Sequence, residues 1–147
     1  MATFTKLDGF VEHLAEGVHN LGSGALTIAL SNTAPGAETT PPSGSTAACI
    51  LANVTQVAYT FLSTRVITAG TSAQTTGTYK LVLTDLVLTS TGGTTGPFRY
   101  VYIYNDTPTA PADPLIGYYD YGSSISLATT ETLTIDFDAT NGVLTVA

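Results

Sequence analysis

The chain has little positive charge. Its four Lys and Arg residues face eleven Asp and Glu residues, which gives a net charge of −7 at pH 7. Nucleic-acid binding requires clustered Lys and Arg that displace the counterions of the phosphate backbone. The four cations are scattered along the sequence, as Lys6, Arg65, Lys80 and Arg99. The sequence therefore predicts no direct contact with DNA or RNA.

Cysteine and long apolar runs are also scarce. Cys49 is the single cysteine, so no disulfide can form within the chain. No apolar run approaches the roughly 20 residues that a membrane-spanning helix needs. The first residues lack the apolar stretch of a secretory signal. We therefore expect no membrane contact and synthesis in a cytoplasm.

The arrangements that carry catalysis are missing too. The two histidines, His13 and His19, lie six positions apart on a predicted helix and so should point to different faces of it. No Gly-x-Ser-x-Gly motif is present, and Cys49 lies beside apolar neighbours, which is typical of a buried thiol. We predict a protein that is not an enzyme, with no catalytic residue, no cofactor and no metal site.

Two groups of Asp and Asn residues resemble functional sites only faintly. One is similar to a calcium loop but lacks its final glutamate, and comprises Asp136, Asp138 and Asn141. The other could supply the paired carboxylates of a glycosidase, and comprises Asp106, Asp113 and Asp120. We interpret the first set as strand-edge residues and the second mainly as turn residues.

Threonine, glycine and proline dominate what is present. The sequence contains 28 threonines, 14 glycines and 7 prolines among its 147 residues, a composition typical of strands and turns. Helical spacing of apolar residues occurs only near the start and predicts one short helix over residues 7–20. We predict a mainly β protein, an antiparallel β-sandwich of jelly-roll type, with an N-terminal segment (residues 1–22) and a sandwich domain (residues 23–147).

Period-two patterns predict seven or eight strands. Residues 98–104 carry apolar or aromatic side chains on both faces, which favours a central strand. Residues 79–89 are predicted to form one strand. Asn141-Gly142 predicts a tight hairpin between residues 131–138 and the last strand. The proline-rich residues 32–47 are expected to form a loop that is exposed or clamped against a partner and is not part of the core.

Aromatic residues supply the candidate binding surface. Six of the eight tyrosines lie within residues 100–121, and tyrosine is enriched at protein interfaces, although a sandwich core could equally hold them. The apolar N-terminal segment either anchors the chain to a partner or plugs its own sandwich. The interface candidates are Phe4, Leu7, Phe10, Leu14, Tyr118, Tyr119 and Tyr121.

Four stretches resemble small virion proteins encoded among the structural genes of tailed bacteriophages. They are FVEHLAEGVH (10–19), ALTIALSNTAP (25–35), GPFRYVYIYND (96–106) and PLIGYYDYG (114–122). Within that group the chain is most similar to capsid decoration, or cement, proteins. The resemblance implies a non-enzymatic protein on the virion surface that binds between major capsid protein subunits and forms a homo-oligomer, a dimer or trimer. The alternative is a tail or fibre module that recognises a host surface polymer.

Overall fold

Nine strands and one α-helix are present in residues 2–147, the part of the chain that the computed structural model describes. The helix α1 spans Asp8–Ala15, and two single-turn 3₁₀ helices span Pro35–Ala37 and Leu51–Asn53. The strands are β1 (Phe4–Lys6), β2 (Leu26–Ser31), β3 (Ala69–Thr75), β4 (Thr78–Leu83), β5 (Leu86–Thr89), β6 (Thr95–Asn105), β7 (Leu115–Leu127), β8 (Thr132–Ile135) and β9 (Leu144–Val146).

Three antiparallel sheets surround the main core. Their strand orders are β1-β7-β6-β2, β3-β4-β9 and β5-β8. One apolar cluster joins side chains from all three sheets, including Ile28 of β2, Leu81 of β4 and Leu88 of β5. The predicted mainly β, antiparallel, sandwich-like fold with one helix is therefore confirmed.

Strand β6 is central, as its sequence predicts. It pairs with β2 on one side and β7 on the other, and the alternation of its side chains serves two apolar layers. Val101 and Ile103 face the main core. Tyr100, Tyr102 and Tyr104 face a second, smaller apolar cluster that the segment around Leu51 and Val54 covers from outside. These three tyrosines are therefore core residues and not interface residues.

The N-terminal segment belongs to the main sheet and its core. Strand β1 pairs with β7, with Phe4 opposite Tyr119. The helix ends five residues earlier than predicted because Gly17 adopts a left-handed φ of +77°. The Val18 amide then donates to the His13 carbonyl at 2.8 Å and the Gly17 amide to the Leu14 carbonyl at 3.2 Å, which is a Schellman ending.

Two predictions about the later strands are wrong. The single strand expected over residues 79–89 is two strands in different sheets, because the chain turns at Asp85, whose carboxylate accepts the Phe137 amide at 2.9 Å. The hairpin expected at Asn141-Gly142 does not pair its two flanking strands. Strand β9 pairs with β4 instead of β8, while the Asp138 carboxylate accepts the Asn141 amide at 2.8 Å and closes the turn locally.

The proline-rich residues 32–47 are only partly the exposed loop that was expected. Most of their side chains are exposed, but Pro35, Glu38 and Pro42 are buried. The Glu38 carboxylate accepts the Thr55 amide at 2.9 Å and the Thr55 hydroxyl at 2.7 Å. The segment is therefore held against the body of the protein by an internal acceptor, and its three buried residues correct the expectation that all of it lies outside the packed interior.

Candidate attachment surface

A groove of about 370 Å³ separates the four-stranded sheet from β8. Its floor is the core-facing side of β6 and β7, and its wall is β8. The wall lines the groove with four consecutive residues, 133–136. Consecutive side chains of a strand point to opposite faces, so the groove is bordered by the edge of β8 and not by one of its faces. The remaining lining residues are Ala2, Phe98, Val101, Tyr119 and Tyr121.

Two incomplete strand edges border this groove. Strand β8 pairs with β5 on one side, and no strand in the described part of the chain pairs with its other side. Strand β1 covers β7 only at residues 117–119, so from Asp120 onward the outer edge of β7 has no neighbouring strand within residues 2–147. Unpaired strand edges present rows of amide and carbonyl groups that an extended segment can complete.

A bulge in β7 shapes the rim. Phe98 pairs with Ile125 and Tyr100 pairs with Asp120. The chain therefore advances five residues along β7 (120 to 125) where it advances only two along β6 (98 to 100). Gly122 permits this excursion with a φ of +91°. The bulge leaves the ring of Tyr121 52% exposed at the mouth of the groove.

The Asp120 carboxylate at the base of the bulge is held by Arg99. The Nε and Nη2 atoms of Arg99 both donate to it at 2.7 Å, so the contact is bidentate. The hydrogen bonds from Arg99 lower the pKa of Asp120. Both side chains are more than a third exposed, so this ion pair serves mainly to orient the start of the bulge.

The groove is acidic at one end. Among residues 2–147 no Lys or Arg lines it, whereas Asp136 does. Burial, and then the charges of Asp136 and Asp138, raise the pKa of Tyr119 to about 12. Its hydroxyl therefore stays protonated at neutral pH and can donate a hydrogen bond into the groove.

The structure brings together three of the predicted interface residues and separates the others. Tyr119 and Tyr121 line the groove, and the ring of Phe4 packs on Tyr119 at 5.2 Å. Tyr118 faces the opposite side of the sheet, where its ring lies 5.6 Å from that of Tyr102. Leu14 is half-buried against the main core.

Leu7 and Phe10 are not available to a partner in this structure. They are 2% and 1% exposed and pack in the two apolar clusters of their own chain. Of the two roles that the sequence left open for the N-terminal segment, the packing favours the plug. The physical reason is that the pairing of β1 with β7 fixes the start of the helix. The apolar side of the helix therefore faces the interior.

Sequence reasoning missed Leu133, Ile135 and the open edge of β8. The predicted hairpin at Asn141-Gly142 would have paired β8 with the last strand and covered that edge. Because β9 pairs with β4 instead, the edge stays open. The period-two alternation of residues 131–138 identifies a strand but carries no information about its partner.

The two histidines are also placed differently from the prediction. Since the helix ends at Ala15 and the chain reverses at Gly17, His19 folds back beside His13, with ring centroids 5.9 Å apart. Both side chains are buried. The expectation of different faces on one solvated helix is therefore wrong.

The other reactive groups fall into packing or turn positions. Cys49 is fully buried, and burial raises the pKa of its thiol to about 11. Burial and the neighbouring Asp106 raise the pKa of Asp113.

Within the described residues, no group of three or more His, Cys, Asp or Glu side chains could hold a metal ion together. No α-helix in that part of the chain is both long and apolar enough to traverse a bilayer.

Comparisons with known proteins give no relative from which a role could be transferred. No protein-family model matches the chain, and neither a curated protein nor a solved structure matches it. The function is therefore argued from the residues and their geometry.

Proposed function

We propose that the chain is a non-enzymatic virion protein of a tailed bacteriophage that decorates the outer capsid surface between major capsid protein subunits and stabilises the shell. The observation that carries the proposal is where the resembling stretches lie. GPFRYVYIYND forms most of β6, and PLIGYYDYG forms the first part of β7 and the start of its bulge. These two stretches build the floor and rim of the groove.

The attachment mechanism follows from the two open edges. An extended segment of a major capsid protein subunit would enter the groove, pair with the free edge of β8 or β7, and place apolar side chains over Tyr121 and Leu133, which line the groove and are exposed and half-buried respectively. Since Asp136 lines the groove and no Lys or Arg among residues 2–147 does, basic residues on that segment would fit its end. Binding only the assembled shell would stabilise it by mass action.

Self-association belongs to the same proposal. Each copy carries a net charge of −7, which opposes association of free copies. We expect dimers or trimers to form on the shell, where neighbouring attachment sites hold the copies together. The proposed location is the virion surface after synthesis in the host cytoplasm, without nucleic acid or membrane as a partner.

The test is decoration of purified shells that lack the protein. Tyr121→Asp adds a charge at the groove mouth and should abolish or strongly weaken binding. Val87→Asp is the matched control, since Val87 is 51% exposed on β5 and does not line the groove. Equal binding of the two variants, or no binding of the unmodified protein to shells, would contradict the proposal.

A tail or fibre module that recognises a host surface polymer is the second candidate. The observation in its favour is the pair of tyrosine rings beside Asp136 in one groove, because aromatic faces and carboxylates together suit sugar rings. Copy number separates the candidates. Hundreds of copies in purified particles favour decoration, and a handful favours a tail or fibre.

A further inference from the structure

His13 and His19 form a buried pair at the end of α1. Their exposures are 3% and 6%, and their ring centroids are 5.9 Å apart. The ring of His19 also packs on Phe10 of α1 at 5.0 Å, so the segment after the helix is held to a helix residue that belongs to the main core. The pair therefore lies where the helix, the reversal at Gly17 and the sheets meet.

Three of the four ring nitrogens of the pair are buried without a hydrogen-bond partner in the described part of the chain. His13 Nδ1, His19 Nδ1 and His19 Nε2 are buried without a hydrogen-bond partner among the described residues. Neutral imidazoles tolerate such a site better than charged ones, because burying an unpaired charge is far more costly than burying an unpaired neutral group.

Among the described residues, no Asp or Glu lines the groove beside His19. This second groove, of about 570 Å³, is lined from β3 and β4 by Ser72 and Tyr79 and from β9 by Val146. The Ser72 and Tyr79 hydroxyls bond each other at 2.7 Å. From α1 itself the exposed Glu12 carboxylate is engaged by the Thr46 hydroxyl, and from β1 Lys6 lines the adjoining groove beside Leu14. Glu16 at the end of the helix is exposed.

We propose that His19, packed against His13, forms an acid-sensitive latch, which holds residues 8–21 against the sheets while the His19 ring is neutral and releases them when that ring is protonated. Protonation of His19 would bury a positive charge in a ring whose two nitrogens have no hydrogen-bond acceptor among the described residues. A helix of eight residues has little stability of its own. The whole segment would therefore leave its site together.

The direction of the pH dependence follows from the same burial. Burial, and then the neighbouring His13, lower the pKa of His19 from 6.5 to about 4. The released segment takes up protons more readily than the docked one. The stabilisation is thus complete above pH 6.5 and is lost as the pH falls from 6.5 to 4. This latch does not depend on attachment to a capsid.

Hydrogen exchange on the purified full chain tests the latch. After correction for intrinsic exchange rates, the amides of residues 8–21 should open roughly 10- to 30-fold more at pH 5 than at pH 7. The strands β2 and β6 should stay protected over the same range. His19→Leu, which packs without a titrating group, should remove this increase. Glu16→Gln is the control, because it removes an exposed titrating group from the same segment and should leave the increase intact.

Imidazole titration by NMR on the unmodified protein keeps the test decisive if His19→Leu does not fold. The latch requires that the His19 imidazole titrates well below 6.5 and that its protonation coincides with the opening of residues 8–21. Titration of the His19 ring near 6.5, protonation of that ring without opening, or an undiminished acid response in a folded His19→Leu variant would each overturn the proposal.

Discussion

The ring of Phe4 lies across the sheet from Tyr119, with 5.2 Å between the ring centroids. This contact joins the first strand to the floor of the groove, since Phe4 and Tyr119 are also register partners in β1 and β7. It makes the N-terminal segment part of the surface that we propose for attachment.

Gly117→Ala tests how tightly β1 is seated. A Cβ at Gly117 would collide with the Phe4 ring and with the Thr5 carbonyl oxygen, which is backbone and cannot swing away. We expect a loss of about 1–3 kcal/mol in the free energy of unfolding, measured by urea denaturation. Gly36→Ala is the control, because a Cβ there enters open space, and it should unfold like the unmodified chain. Equal stability of the two variants would show that β1 is loosely held.

Phe10→Ala distinguishes a plug from an anchor. Phe10 is 1% exposed within the main core, so truncation should cost about 3–5 kcal/mol of unfolding free energy. The neighbouring Val11 is 49% exposed, and Val11→Ala should change stability by less than about 0.5 kcal/mol. If Phe10→Ala melted normally but no longer decorated shells, the helix would be an anchor after all.

Glu38→Ala tests the internal acceptor of the proline-rich segment. The change removes both hydrogen bonds to Thr55 and should cost about 1–2 kcal/mol. Glu38→Gln keeps one acceptor oxygen and should cost less, and Thr39→Ala, at an exposed neighbour, should cost almost nothing. Deletion of residues 38–43 removes the same acceptor and should destabilise the fold. A deletion product with the melting temperature of the intact chain would contradict this role for Glu38.

Tyr119 should make stability depend on pH in alkali. Its pKa rises from 10 to about 12 in the folded chain, so the unfolded chain loses this proton first. The stabilisation is complete below pH 10 and is lost as the pH rises from 10 to 12. Tyr119→Phe should lessen the loss of stability over that range, measured by denaturation at several pH values. Part of the loss should remain, because burial also raises the pKa values of Tyr59, Tyr102 and Tyr104.

The sequence by itself determined the elements whose signal is local. Alternation over residues 98–104 with apolar side chains on both faces predicted a central strand, and β6 is central. Helical spacing near the start predicted the one helix, and the threonine-rich composition predicted a mainly β fold. These features depend on the period of side chains along a single segment, which the amino-acid order contains directly.

The partners of those segments were decided only by the tertiary structure. Nothing local to Asn141-Gly142 shows that β9 pairs with β4, yet that pairing is what leaves β8 with an open edge beside the groove. The helical spacing from His13 to His19 likewise predicted separation, and a single left-handed residue, Gly17, brought the rings together. Strand pairing and chain reversal depend on which surfaces, distant in sequence, bury the most apolar area against each other. The free energy of that burial depends on the complete packed structure and cannot be calculated from one segment alone.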